Sequence, residues 1–145
     1  MIKDYATWHE KNEKDFHDFI SKNVFFAFSD EQFKRGLEKF GIQENEISDK
    51  LCNYVGGGYM LKSAVKEHNK IVRKLQKAER KYLNNFKNLY SALLYEMYNH
   101  ECGYTWNFTE CLAPLGFTRK DLRKNRKLAK AFEQAKATII LRECD

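Results

Sequence analysis

Apolar side chains recur every three to four residues along most of the chain, which is the spacing of a helix that buries one face. The pattern predicts a first helix over about residues 5–22. The stretch from Ser63 to His100 contains neither glycine nor proline, so the sequence predicts one long helix or two helices with a break between Gln76 and Asn85. The buried face of a last helix is predicted to consist of Leu128, Phe132, Ala135 and Ile139.

Short apolar runs bounded by turn residues predict a small amount of sheet. Residues 24–28 are apolar and predict one buried strand. Residues 51–61 predict a β-hairpin, because the glycines at 56–58 can adopt the positive φ angles of a tight turn. This glycine run lacks the Lys and Ser/Thr that follow the glycines of a phosphate-binding loop, so turn formation is the favoured interpretation.

Capping residues predict where two of the helices begin. Ser29 with Gln32, and Thr118 with Asp121, have the spacing of a capping box, in which each side chain bonds to an unpaired backbone amide of the first turn. Gly41 is predicted to end the helix that begins after Ser29. These signals predict one helix that begins after Ser29 and another that begins after Thr118.

The segment after the central helices is predicted from its glycines. Gly103 is predicted to end the central helical region, and residues 104–107 to form a connection or a short strand. A short helix around Cys111 is predicted to stop at Gly116. Together the elements predict an α+β, mostly α-helical fold, with several helices around one or two long central helices and a small β-hairpin or short sheet, in a single domain of residues 1–145.

Composition narrows the class of protein. A chain of 145 residues is the usual size of one domain and buries a core without disulfide bonds. Its four cysteines contain no CxxC pair, which predicts reduced thiols and a cytoplasmic location. The N-terminus lacks the apolar core of a signal peptide, and no stretch approaches the roughly 20 apolar residues that span a bilayer, so no membrane association is expected.

Positive charge is concentrated in two blocks of the sequence. The formal net charge is +6, but residues 62–90 carry nine Lys/Arg against two Asp/Glu, and residues 119–142 carry the same numbers. Residues 1–50 and 91–118 carry more acidic than basic side chains. Long stretches of one sign are typical of surfaces that attract phosphates through counterion release.

The first block falls on one face of the predicted central helix, at about 100° per residue, and apolar residues occupy the opposite face. The candidate nucleic-acid-binding residues on this face, which we call the basic stripe, are Lys66, Lys70, Arg73, Lys74, Lys77, Arg80 and Lys81. Lys62 and Lys87 also fit the angle. The second block begins near a predicted helix N-terminus, where the helix dipole disfavours cations, and its candidates are Arg123, Lys124 and Lys127. The alternative is that both blocks only keep the protein soluble.

One cluster of reactive side chains could carry chemistry. Glu96 and His100 are four residues apart on a helix, so the carboxylate could orient the imidazole as a general base. Cys102 and Cys111 could join His100 as metal ligands, but their spacing fits no standard zinc pattern and the HExxH motif is absent. The alternative is that residues 99–101 cap a helix. We therefore predict no catalytic residue, no metal site and no cofactor.

Several short phrases between Val24 and Lys136 carry a family resemblance. They are Phe25-Phe26-Ala27-Phe28-Ser29 with Gln32-Phe33, the turn Gly56-Gly57-Gly58-Tyr59, Tyr95-Glu96 with Asn99-His100-Glu101, and Leu112 to Gly116. These phrases resemble an uncharacterised family, a domain of unknown function, of small phage and mobile-element proteins. Pro114 and the basic enrichment of residues 62–90 depart from the pattern of that family.

The resemblance implies no established activity, so it assigns no catalytic residue. Small phage proteins of this kind are often inhibitors of host machinery in the bacterial cytoplasm. Counter-defence proteins among them, including anti-CRISPR proteins, typically bind and block their targets rather than catalyse a reaction. The resemblance therefore implies a binding protein with a host target.

Three functional hypotheses remain open from the sequence. The leading one is a non-enzymatic protein that binds RNA, DNA or a ribonucleoprotein through the basic stripe, for example an anti-CRISPR protein that blocks an RNA-guided nuclease. The second is a protein–protein interaction module, or a transcriptional regulator without nucleic-acid contact, that uses the acidic N-terminal half or the aromatic segment 104–108. The third is a small enzyme that uses Glu96, His100 and Glu101.

Overall fold

The computed structural model of the protein describes residues 2–143. Helices account for 80% of it, and a small three-stranded antiparallel sheet is present, which confirms the predicted α+β, mostly helical fold. The elements, in chain order, are α1 (Ile2–Asn23), β1 (Val24–Phe26), α2 (Asp30–Phe40), α3 (Ile47–Lys50), β2 (Leu51–Tyr54), β3 (Gly58–Leu61), α4 (Val65–Leu83), α5 (Phe86–Asn99), α6 (Cys102–Thr105), α7 (Arg119–Lys124) and α8 (Arg126–Glu143).

The chain forms two compact units. One consists of Asn12–Gln76 and contains the sheet, and we call it the sheet unit. The other consists of Met1–Lys11 together with Lys77–Asp145, and we call it the terminal unit. The first residues of α1 and the last residues of α4 belong to the terminal unit, and the rest of these two helices belongs to the sheet unit. Whether the whole chain behaves as one domain stays a prediction.

The sheet has the strand order β1-β3-β2, with all neighbours antiparallel. The predicted hairpin is confirmed, since β2 and β3 pair around a turn in which Gly56 and Gly57 have φ angles of 71° and 81°. Successive strand residues point to opposite faces. Val24 therefore packs with Met60 in one cluster, while Phe25 packs in a second cluster, so both faces of the sheet are covered.

The prediction of a fully buried strand over residues 24–28 was only partly correct. β1 ends at Phe26, whose side chain is exposed, and Phe28 is 77% exposed. Their rings lie against the glycine turn, because a Cβ on Gly57 would lie 2.6 Å from a ring carbon of Phe28, and one on Gly58 would lie 2.9 Å from Phe26. The glycines therefore serve close ring packing as well as turn geometry.

Both predicted N-caps are present, but the predicted capping box is complete only at Thr118 and not at Ser29. The hydroxyl of Ser29 accepts a hydrogen bond from the backbone amide of Gln32 at 3.2 Å, and the amide oxygen of Gln32 accepts one from the backbone of Phe28 at 2.7 Å. Gly41 ends α2 with a left-handed φ of 66°, as predicted. The Thr118 and Asp121 side chains form a complete capping box at the start of α7. Local sequence therefore fixes these helix ends.

The core of the terminal unit lies mainly between α5 and α8. The predicted buried face of α8 is confirmed, because its four residues are at most 4% exposed. Leu93 and Met97 on α5 are completely buried. This apolar contact fixes the positions of the two helices, and with them the polar residues at their margins.

The region 63–100 forms two helices, and the break lies at Asn84 and Asn85, inside the predicted window. The side chain of Asn85 accepts a hydrogen bond from the backbone amide of Asn88 at 3.1 Å and so caps α5. Because Lys87 follows the break, it belongs to α5 and not to the basic stripe of α4, and its predicted place on that face is wrong.

The predicted helix end at Gly103 is also wrong. α5 ends at Asn99, and the left-handed residue that follows is Glu101, with a φ of 51°. Gly103 lies inside the short helix α6, so the segment 104–107 contains no strand. Trp106 ends α6 with a φ of 59°, which is rare for a bulky side chain. The chain therefore leaves α5 at a left-handed glutamate and not at the glycine.

Candidate nucleic-acid interface

The cations of the basic stripe are all exposed on α4. At about 100° per residue, their side chains leave the helix within about 60° of one line, over four to five turns. The predicted residues on this face are Lys66, Lys70, Arg73, Lys74, Lys77, Arg80 and Lys81. The structure therefore places the whole predicted set on one face of one helix.

Carboxylates do little to neutralise this face. Ion pairs between described side chains occur elsewhere, for instance Glu31–Arg35 and Glu46–Lys50, and within residues 4–142 none joins a carboxylate to a stripe cation. On α4 itself, Glu79 points about 160° away from the centre line of the stripe, and Glu67 lies about 80° from it. Positive charge on the stripe is therefore available to an external anion.

Part of the second basic block lies close to the end of the stripe. Lys127, near the start of α8, donates a hydrogen bond from Nζ to the backbone carbonyl of Asn84 at 2.7 Å. The ammonium group of Lys130 lies 5.7 Å from the centre of the Phe86 ring. Both contacts lie within the terminal unit. They bring the start of α8 next to the break between α4 and α5.

We call this part of the terminal unit the basic junction. It consists of Lys77, Arg80 and Lys81 on α4 and Lys127 and Lys130 on α8, all of them exposed. Lys77 lies seven residues before Asn84, or about 10 Å along the axis. The predicted candidates Arg123 and Lys124 are exposed on α7, which leads into α8 at Asn125. Sequence reasoning gave no sign that the two blocks meet.

Beside the basic junction, α5 and α8 form a shallow groove of about 460 Å³. The hydroxyl groups of Tyr90 and Thr138 are 2.8 Å apart at one end. Its lining combines aromatic, amide, hydroxyl and ammonium groups, and consists of Phe86, Lys87, Tyr90, Gln134, Ala137 and Thr138. No sequence motif indicated this groove, because its two sides are separated by more than 40 residues of chain.

Glu96 and His100 form the predicted pair, with 3.5 Å between the Oε2 and Nε2 atoms. Glu96 is only 7% exposed, and this burial raises the pKa of its carboxyl group above the ordinary value. The charge of His100 and a hydrogen bond from the Asn99 side chain oppose the shift. The His100 side chain is 37% exposed, so its imidazole is partly accessible to solvent.

Replacing Glu96 with glutamine is expected to raise the melting temperature at neutral pH. Because the pKa of Glu96 is raised in the folded protein, the folded state binds this proton more tightly than the unfolded chain, and stability falls as the pH rises above the ordinary value of 4.5. Glutamine carries no charge and avoids this cost. Melting curves between about pH 4 and pH 8 should show a difference that is largest near neutrality and vanishes in acid.

The matched control for this prediction is Glu133→Gln, because Glu133 is exposed on α8. This variant should follow the wild-type melting temperature across the pH range. A lower melting temperature of Glu96→Gln at neutral pH would show that the contacts of the carboxylate with His100 and Asn99 outweigh the cost of burying its charge.

The two cysteines near this pair are poor nucleophiles. Cys102 and Cys111 are completely buried. Burial raises the pKa of the Cys111 thiol to about 12, so it stays protonated at neutral pH. Within the described part of the chain, no group of three or more His, Cys, Asp or Glu side chains is placed to hold a metal ion. The arrangement thus gives the proposed ligand set of His100, Cys102 and Cys111 no support.

Comparison with known proteins assigns the chain to a family but not to an activity. A family model described as a family of unknown function (DUF7659) matches residues 4–138, so the chain belongs to this family. No curated protein and no solved structure matches. The match confirms that the family is uncharacterised. The matched region begins about 20 residues before the first of the phrases that carry the family resemblance. Among residues 2–143, no helix has the length and apolar character needed to cross a bilayer.

Proposed function

We propose that this DUF7659 member is a non-enzymatic protein that binds the phosphate backbone of nucleic acid through the basic stripe and the basic junction. The observation that supports it best is the hydrogen bond from Lys127 to the carbonyl of Asn84, which joins the ends of the two basic blocks in the terminal unit. In this proposal, cations on the two helices near this bond contact phosphates of one backbone.

The arrangement of charge favours binding over mere solubility. Like charges within one or two helical turns repel one another, so an unneutralised row of seven cations lowers the stability of α4 slightly. A solubilising surface works equally well with both signs mixed. A phosphate backbone offsets the repulsion because each contact releases condensed counterions.

A more specific role follows from the sequence resemblance to small phage and mobile-element proteins. In this proposal the protein acts in a bacterial cytoplasm as a counter-defence inhibitor that binds the guide RNA of an RNA-guided nuclease and so keeps this RNA out of the nucleic-acid channel. Guide and target strands lie in positively charged channels of such nucleases, so a basic protein would compete for the RNA and not for the channel wall. A cleavage assay with added protein tests this role separately from nucleic-acid binding.

Titration of labelled nucleic acid at several salt concentrations tests the general proposal. Phosphate contacts make the logarithm of the binding constant fall linearly with the logarithm of the salt concentration, by about 0.7 to 0.9 for each contact. For the five cations of the basic junction we expect a slope of about −3 to −5. Absence of binding at low salt, or a slope near zero, would contradict the proposal.

A protein-interaction module is a second candidate, and one observation favours it. Tyr104 and Trp106 are 82% and 66% exposed, and Trp106 is held at a positive φ angle that costs about 1–2 kcal/mol. Exposed aromatic residues are enriched at protein interfaces, and strained backbone is often found at binding sites. A partner complex that survives high salt and nuclease treatment, and is lost in Trp106→Ala, would favour this function.

A further inference from the structure

We propose that the groove between α5 and α8 binds an unpaired base, so that the protein prefers single-stranded nucleic acid to duplex. The inference rests on the proposed function, because the basic junction supplies the phosphate contacts. The groove adds a site for the base next to the junction that contacts the phosphates. The site lies wholly within the terminal unit.

The walls of the groove match the parts of a nucleotide. Phe86 and Tyr90 supply aromatic surface on which a base of any sequence can stack. Gln134, which is exposed, supplies an amide group that can bond to the edge of the base. A volume of about 460 Å³ is within the range of pockets that hold small ligands. The groove is therefore large enough for one nucleotide and open enough for its backbone to pass through.

Charge at the groove complements the phosphates on either side of that base. Lys87 lines one wall, and Lys130 lies over the Phe86 ring at the end next to the basic junction. No carboxylate lines the groove among the described residues. A strand whose phosphate contacts Lys130 thus lies next to the aromatic wall.

A duplex cannot use this site in the same way. Its bases are paired and stacked inside the helix, and extracting one costs a few kcal/mol. The phosphates of a duplex can still contact the basic junction without entering the groove. The geometry therefore predicts that both forms bind, and that single strands bind more tightly by about tenfold, the effect expected of one stacked base.

Two variants of Ala137 test the inference in the full-length chain. Ala137 lines the groove but is exposed, so changing it leaves the core intact. Ala137→Glu places a carboxylate beside the expected phosphate, and Ala137→Trp fills the groove without changing the charge. Ala113→Glu is the matched control, because Ala113 is exposed outside the groove. The probes are oligothymidylate and oligouridylate of about 20 nucleotides and a duplex of the same length.

We expect both Ala137 variants to lose about tenfold in affinity for the single strands, and Ala137→Trp to keep its affinity for the duplex. Ala113→Glu should lower both affinities equally and only slightly. Melting curves establish that each variant is folded. If the wild type binds both forms equally and Ala137→Trp changes neither affinity, the groove is not a base site, although the proposed phosphate binding stands. If the wild type binds neither form, both proposals fail.

Discussion

Replacing Lys77, Arg80 and Lys81 with glutamate is expected to lower the affinity for nucleic acid by at least about a hundredfold at low salt. These three exposed residues form the α4 part of the basic junction. Each change removes a phosphate contact and adds a repulsive charge at the same place. The salt dependence should weaken as well, because the slope of the binding constant against salt should lose about one unit for each contact removed.

The matched control reverses Lys34, Arg35 and Lys39 on α2. These residues are also exposed, and the set has the same composition of two lysines and one arginine. It changes the net charge by the same amount, so it measures the general effect of charge on association. If the two triple variants lose affinity equally, binding reflects only net charge, and the assignment of the site to the basic junction is wrong.

Both triple variants are expected to fold. The stripe cations form no ion pair with a described carboxylate, so their reversal breaks no such contact within residues 4–142. Removing like charges spaced along one face of α4 also relieves repulsion, although three glutamates reintroduce it with the opposite sign. Arg35 loses its pair with Glu31, but exposed pairs of this kind contribute only about 0.3–0.5 kcal/mol.

Local signals in the sequence were sufficient to predict most helix ends. A capping residue such as Ser29 or Thr118 acts through bonds to its own first turn, so three or four residues contain all the information. The sequence predicted one helix or two over residues 63–100, with any break between Gln76 and Asn85. The observed break lies in this window, where Asn85 caps α5 with its own side chain. Contacts between residues this close in the chain can be predicted from the sequence.

Contacts between distant parts of the chain could not be predicted in this way. The bond from Lys127 to Asn84 joins residues 43 positions apart, and its existence depends on the packing of α8 against α5. The prediction at Gly103 failed because Glu101 adopts the left-handed conformation after α5, a conformation that usually selects glycine. Charge periodicity predicted which residues share a face of α4, but not what lies beside that face.

Gly36 illustrates how packing can reverse a local preference, and it gives the second prediction. Glycine inside a helix normally lowers stability by about 1 kcal/mol relative to alanine. In α2, however, a Cβ on Gly36 would lie 2.1 Å from the nearest ring carbon of Phe25. We expect Gly36→Ala to lower the free energy of unfolding by about 1–3 kcal/mol or more, measured by urea denaturation.

The reason lies in the surroundings of Phe25. Its ring is buried, with ring centres of Phe33, Phe40 and Tyr59 within 5.9 Å, so it has little room to move away from a new methyl group. A smaller side chain at position 25 should provide that room. In the background of Phe25→Leu, the cost of Gly36→Ala should therefore fall by at least about 1 kcal/mol, although Phe25→Leu itself is destabilising.

The double-mutant cycle separates steric overlap from other effects of the new residue. If Gly36→Ala stabilises the wild-type protein, helix propensity outweighs packing and the close approach to Phe25 is easily relieved. If the cost of Gly36→Ala is the same in both backgrounds, the strain arises elsewhere in α2. Only a cost that depends on Phe25 agrees with the geometry, because the ring is the group that the added methyl would meet first.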